Sequence, residues 1–245
     1  MKPKEKKDEH RLAYDQLHAR SDLRFPLEDY GKFIELLGVK EGRKLADIAC
    51  GKGFLLVEAE KKRVWALGVD FSLVGLGHAK KKTDGLYLVG GDVERLPIKD
   101  RCLDYVTSLG SLEHFINTEL AICEMARVLK EDGKALVVVP NPYYLGVIWK
   151  VLRFGEGEKQ EEQDIRHFES INDWKHLLED NGLKILSTIK YNGFHHINWY
   201  FMRKDPQIMT LGERLGRSLM NILLKPIIPL NLSAYFIFLC KKEMV

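Results

Sequence analysis

Three carboxylates, Asp47, Asp70 and Asp92, stand at or beside the ends of short apolar runs (Leu45 to Ala49, Val64 to Val69, Leu86 to Val89). Where strands lie parallel, such ends share one edge of the sheet, and that edge is where ligands bind. The first run leads into Cys50-Gly51-Lys52-Gly53, a glycine turn that lets backbone N–H groups approach a ligand without an intervening Cβ. Asp70 can accept from both hydroxyls of a ribose, a bidentate geometry available to a carboxylate. Asp92 can accept from an exocyclic amino group while the Val93 amide donates to a ring. Its plainer reading is a turn or helix-capping aspartate. Phe71 either covers a purine face or serves as a core aromatic. Together the three turns suit a nucleoside.

The same residues favour a cationic nucleoside over a diphosphate. A dinucleotide fingerprint places a third glycine where this chain has Leu56, whose side chain opposes close approach of helix to pyrophosphate. Asp47 would repel each phosphate charge by about 3 kcal/mol at roughly 5 Å and an effective dielectric near 20. S-adenosylmethionine carries an ammonium and a sulfonium, so the repulsion becomes attraction. A nicotinamide-dependent dehydrogenase is the competing reading, and Leu56 and Asp47 speak against it.

The positioning elements follow from hydrophobic spacing. Leu27, Tyr30, Ile34 and Leu37 mark a helix closed by Gly38, and a further helix is expected around Asp8 to Arg20. Helices are predicted over Phe54 to Lys62, from Ser72 as N-cap to about Lys82, over Asn117 to Leu129, and from the Ser170 cap through Glu179. Strands are predicted over Leu103 to Leu109, Ala135 to Val139 (after a Glu131-Asp132-Gly133 turn), Leu183 to Ile189 and Ala234 to Cys240. Alternation of strand and helix implies an α/β, doubly wound, mostly parallel sheet. Two stretches, 141–169 and 191–231, exceed a minimal unit and are expected to form substrate-side insertions. The second is rich in aromatic and aliphatic residues, which suits either packing on the sheet or an apolar lid.

The chain has 245 residues, 45% of them hydrophobic, and a formal net charge of +3. That is enough for a full core, and too weak a charge to imply a nucleic-acid partner. The basic start, Met1 to Lys7, reads as a solvated end. Four scattered cysteines without a Cys-x-x-Cys pair, and no leader-like segment, imply a reducing, cytoplasmic setting. The most apolar stretch, Leu219 to Cys240, is broken by Lys225, Pro226 and Pro229 and does not read as a membrane span. Peripheral lipid contact stays open. His195 and His196 would face opposite ways if extended, and no metal site is predicted.

These turns, with Ser111-Leu112-Glu113-His114, Arg127-Val128-Leu129-Lys130 and Arg166-His167-Phe168, resemble the class I S-adenosylmethionine-dependent methyltransferases. The likeness is to the type 11 branch that includes ubiquinone and menaquinone biosynthesis methyltransferases. It covers Lys44 to about Ile189 and the final strand. The resemblance implies a Rossmann-like seven-stranded sheet with an antiparallel last strand, forming one domain over 1–245: a helical lid (1–43), a cofactor-binding half (44–140) and the two insertions. It implies that Asp47 holds the methionine end of the donor above Gly51 and Gly53, Asp70 the ribose, and Asp92 with Val93 the adenine. Ser108 and Leu109 would offer backbone to the methionine amino group, and Tyr14 would close over the cofactor. Family members usually carry glycine at Ala49, whose methyl group is expected to narrow the turn and weaken binding.

Methyl transfer from a sulfonium is an in-line displacement that gains most from alignment. His114, at the expected pocket mouth, is the candidate for proton removal or acceptor orientation. Its structural alternative is a helix-start histidine bound to backbone. Glu113 is a candidate for the donor's methionine end. Tyr143 and Tyr144 read as walls of an acceptor pocket for a small molecule. A donor-binding module without turnover, or a subunit of a catalytic partner, is the alternative to an enzyme.

Overall fold

The computed structural model describes residues 3–19, 25–82, 85–155, 169–192 and 227–243. Seven strands form one sheet: β1 (Lys44–Ile48), β2 (Trp65–Asp70), β3 (Tyr87–Gly90), β4 (Leu103–Leu109), β5 (Leu129–Pro140), β6 (Leu183–Tyr191) and β7 (Tyr235–Lys242). Their spatial order is β3-β2-β1-β4-β5-β7-β6. The pairs among β1 to β5 are parallel, and β7 runs antiparallel to both β5 and β6. The expected doubly wound sheet with an antiparallel last strand is therefore the observed one. Strand order reverses between β1 and β4, and a crevice opens there at the carboxyl ends of the strands.

Helices cover both faces, which is why β4 is buried along its whole length. On one face α2 (Leu27–Leu37), α3 (Phe54–Lys61) and α4 (Leu73–Lys80) bury Phe33, Ile34, Leu37, Leu55, Leu56 and Leu76. On the other, α5 (Thr118–Val128) and α7 (Ile171–Asp180) bury Ile122, Met125, Trp174 and Leu178. Gly38 closes α2 at φ +68, and Ser72, Asn117 and Ser170 cap α4, α5 and α7 with their side chains. Among the described residues the other α-helices are α1 (Pro3–Ala19) and α6 (Leu145–Phe154).

Two local features depart from the sequence reading. Glu131-Asp132-Gly133 does not separate helix from strand: β5 starts at Leu129, and the register with β4 jumps from Leu103↔Leu129 to Tyr105↔Lys134. The extra residues form a bulge. The helix α6 within 141–169 carries no start signal in the sequence, because its N-cap, Tyr144, makes no side-chain capping bond. Residues 156–168 and 193–226, with Arg166, His167, His195 and His196, lie outside the described residues.

Two ion clusters brace the sheet edge from below. Asp104 accepts from Arg43 Nη1 at 2.9 Å, Lys44 N–H at 2.9 Å and Lys130 Nζ at 2.8 Å. Burial would raise its carboxyl, but the three donors outweigh it and hold it below the ordinary carboxylate range. Arg127 pairs with Glu124 at 2.7 Å and with Asp100, and donates to the carbonyls of Leu96 and Ile98. That network fixes the loop after Asp92.

Candidate active site

A cavity of about 700 Å³ opens over the carboxyl ends of the parallel strands, within the ~300–1,000 Å³ usual for small-molecule sites. Asp47, Ala49, Gly51, Asp70, Phe71, Asp92, Val93, Leu109 and His114 all line it, and Tyr14 reaches it from α1. Gly53 and Ser108 do not.

Asp47 is buried at the end of β1 and accepts from Thr107 Oγ1 at 2.7 Å. Burial raises its carboxyl to about 7. The Thr107 hydrogen bond opposes that rise, and repulsion from Asp70 adds to it. Asp70, also buried, accepts from Gly51 N–H at 2.7 Å and from Ser72 N–H at 2.8 Å. One carboxylate thus ties the glycine turn to the end of β2.

The turn itself is left-handed three times: Ala49 at φ 57, Gly51 at φ 48 and Gly53 at φ 70. Ala49 bears the steric cost that glycine would avoid. Gly51 lines the cavity, and a Cβ there would come within 2.8 Å of His18 Cε1. Gly53 serves packing instead: a Cβ on it would meet the Ala79 methyl at 2.8 Å. Leu56, where a dinucleotide fold wants glycine, is accommodated from the strand side, since a Cβ on Gly68 would lie 2.6 Å from Leu56 Cδ1.

At the third turn Asp92 acts as a turn aspartate. Its Oδ1 accepts from Glu94 N–H at 3.0 Å, as a turn aspartate does, while the residue remains at the cavity wall. Lys7 Nζ joins Asp92 at 2.6 Å and Glu94 at 2.7 Å. Farther along α1, Asp15 accepts from Ser72 Oγ at 2.5 Å. Tyr14 is buried with its ring 5.4 Å from Phe71 and 6.0 Å from His114. Helix α1 is therefore pinned across the mouth of the crevice. Of its residues, sequence reasoning singles out Tyr14 alone. Lys7, Arg11, Tyr14 and His18 all line the cavity, and their i, i+4, i+7, i+11 spacing is the signal that could have found them.

Tyr30, Phe54, Phe115, Tyr144 and Tyr235 add aromatic walls to the cavity. Tyr144 is buried there as expected, whereas Tyr143 is exposed and off the wall. Asn141 ties two segments together. Its Nδ2 donates to Asn231 O at 2.9 Å and Ser233 O at 2.8 Å, and its Oδ1 accepts from Tyr143 N–H. That joins the end of β5 to the approach to β7. Ser108 Oγ is buried in the sheet with no hydrogen-bond partner among the described residues. His114 and Glu113 sit in the 3-10 turn Leu112–His114, both buried.

Residues 46–137 match a family model described as a methyltransferase domain. A demethylmenaquinone methyltransferase of Mycolicibacterium paratuberculosis is 35% identical over 103 residues, which are 41% of this chain and 43% of that protein. The match thus spans less than half of that relative's length. A demethylmenaquinone methyltransferase of Bacillus velezensis is 26% identical over 216 residues, 76% of this chain and 91% of that one. Among solved structures, phosphoethanolamine N-methyltransferase 2 of Haemonchus contortus, in complex with S-adenosyl-L-methionine, shares the fold. Its TM-score is 0.63 at 15% identity, covering 94% of this chain and 56% of that one.

Proposed function

From the premise that this chain belongs to the class I S-adenosylmethionine-dependent methyltransferases, we propose that it transfers a methyl group from S-adenosylmethionine to a small apolar acceptor. The observation that carries the reading is the buried carboxylate pair Asp47 and Asp70 beside Gly51 at the cavity wall. Burial has already made the Asp47 charge costly, so a polyphosphate would aggravate the cost and a cation relieves it.

The cradle fits the donor. Asp47 faces its cationic end, Asp70, anchored by the Gly51 and Ser72 amides, meets the ribose, and Asp92 and Val93 meet the adenine. Phe71 and Tyr14 close over the rings, with residues 1–43 as a lid on the 44–140 half. Bound S-adenosylmethionine supplies an electrophilic methyl carbon. The protein's own work is to align an acceptor against it in a site screened from water.

The aromatic part of the cavity lining supports an acceptor with a flat apolar body. Both curated relatives are named for a quinone, in keeping with that shape. Among the described residues no helix is long and apolar enough to cross a membrane.

Calorimetry with S-adenosylmethionine and S-adenosylhomocysteine tests the reading. Micromolar binding is expected, lost in Asp70→Ala and weakened in Asp92→Ala. No heat with either compound overturns it. Binding without transfer across a broad acceptor panel returns the reading to a silent donor-binding module.

A further inference from the structure

The first helix meets the sheet edge through a side chain shared between two acids. Lys7 Nζ donates to Asp92 Oδ2 at 2.6 Å and to Glu94 Oε2 at 2.7 Å. Burial opposes its charge, but the two carboxylates outweigh burial and hold Lys7 above the ordinary lysine range. Lys7, Asp92 and Glu94 all line the cavity.

The two carboxylates are not equivalent. Glu94 is the fixed one. Its side chain is 9% exposed, and its Oε1 also accepts from Asn117 N–H at 2.9 Å, at the start of α5. Asp92 is the accessible one, with its side chain 43% exposed. Its Oδ1 is held by Glu94 N–H within the turn, which leaves Lys7 on Oδ2. An ammonium carries several donors, so Lys7 can release Asp92 and stay bound to Glu94.

We propose that Lys7 is a specificity residue for the base of the donor: Lys7 and the adenine amino group compete for Asp92 Oδ2, and the donor enters by exchanging one for the other. This rests on the methyltransferase reading, in which Asp92 meets the adenine, and adds to it a competitor built into the protein.

The exchange selects by what the ligand can donate. A half-buried carboxylate that gives up an ammonium is left short of a partner, and an incoming N–H offsets that loss. A purine with hydrogen in place of the amino group offers Asp92 no donor. Lys7 then keeps its place, and the base gains nothing from the carboxylate. Glu94 retains Lys7 in either case, so α1 stays over the turn when Asp92 changes partner. The pair also delays entry, because the donor binds only the fraction of molecules in which Asp92 is released.

The test is stopped-flow association with S-adenosylhomocysteine, which has no net charge, and with its analogue bearing hydrogen at the purine 6-position. Wild type, Lys7→Met and Lys7→Arg are compared at about 50 and about 500 mM salt, with calorimetry of S-adenosylhomocysteine on each protein. At low salt, association of S-adenosylhomocysteine with Lys7→Met is expected to be about two- to fivefold faster than with wild type, the reach of a partly exposed ion pair. Lys7→Arg keeps the slow rate, and high salt narrows the gap between wild type and Lys7→Met. The analogue associates equally fast with all of them, a difference between ligands that a merely structural role would not produce.

An unchanged or slower association in Lys7→Met, the same gain with the analogue, fast association in Lys7→Arg, or a gap that salt leaves untouched overturns the proposal. Where calorimetry still registers S-adenosylhomocysteine, the donor reading stands without it. Absence of heat in wild type and in both variants overturns both.

Discussion

Lys7 Nζ stands 2.6 Å from Asp92 Oδ2 and 2.7 Å from Glu94 Oε2, so the first helix closes onto the third turn of the sheet edge. The contact links two segments that local sequence pattern could not connect. Lys7 and Asp92 are each about two-fifths exposed, and exposed pairs contribute at most about 1 kcal/mol. Lys7→Ala is expected to leave the melting temperature nearly unchanged while loosening α1. Limited proteolysis should cut within α1 sooner, and stopped-flow binding should show faster exchange of S-adenosylhomocysteine. Unchanged cleavage and exchange would deny the pin.

Asp70 is a structural anchor as well as a proposed ribose ligand, because Gly51 N–H and Ser72 N–H both end on it. Asp70→Asn keeps one acceptor oxygen and turns an amide donor toward a backbone N–H. One buried donor is then unsatisfied, at a cost of about 1–3 kcal/mol. Urea unfolding should show that loss, and donor binding should weaken at least tenfold alongside it. A variant that loses binding with no loss of stability would separate the two roles and refute the anchoring one.

Asp47 makes donor binding depend on pH. Its carboxyl sits at about 7 in the folded protein and near ~3.9 when unfolded. Between those values the folded state holds the extra proton, so the Asp47 contribution to stability falls as pH rises through that window. A cationic donor favours the ionised form and expels the proton. Affinity for S-adenosylmethionine should therefore rise about tenfold from pH 5.5 to 7 and then level off. Calorimetry in buffers of different ionisation enthalpy should register proton release at pH 6, and Asp47→Asn should abolish both the release and the slope.

Local signals carry most of the sheet. Runs such as Ala135 to Val139 are apolar throughout because both faces of β5 are covered there, and capping residues such as Ser72 and Ser170 mark helix starts on their own. The proposed donor rim is legible for the same reason, since Asp47, Asp70 and Asp92 each lie within a few residues of a strand end. What is not legible depends on contacts distant in sequence. Thr107 caps the Asp47 charge from a neighbouring strand. His18 is set against Gly51 by the docking of α1. Gly53 and Ser108 follow the family pattern in sequence yet stand away from the cavity wall, Gly53 because α4 packs against it.

Ala49 holds φ 57 without the freedom of glycine. A left-handed residue with a Cβ costs roughly 1–2 kcal/mol, of which glycine returns part to the flexibility of the unfolded chain. Ala49→Gly is expected to stabilise the protein by about 0.5–1 kcal/mol, a rise of a few degrees in melting temperature for a chain of this size. The added methyl also leaves the cavity wall, so donor affinity should increase. Scanning calorimetry with and without S-adenosylhomocysteine reads both, and a lowered melting temperature would contradict the strain.

Gly68 and Leu56 solve one packing problem from opposite sides. Bringing a helix close to a strand needs a missing side chain somewhere at the crossing, and here the strand supplies it. A Cβ on Gly68 would lie 2.6 Å from both Cys50 Sγ and Leu56 Cδ1. Gly68→Ala should destabilise by about 1–3 kcal/mol, as overpacking does, and should push the glycine turn outward, weakening the donor site. Leu56→Ala frees space at the same crossing, so the double variant should recover part of the loss. Urea unfolding of both singles and the double measures the coupling. Strict additivity of the two losses would show that the residues do not share the crossing.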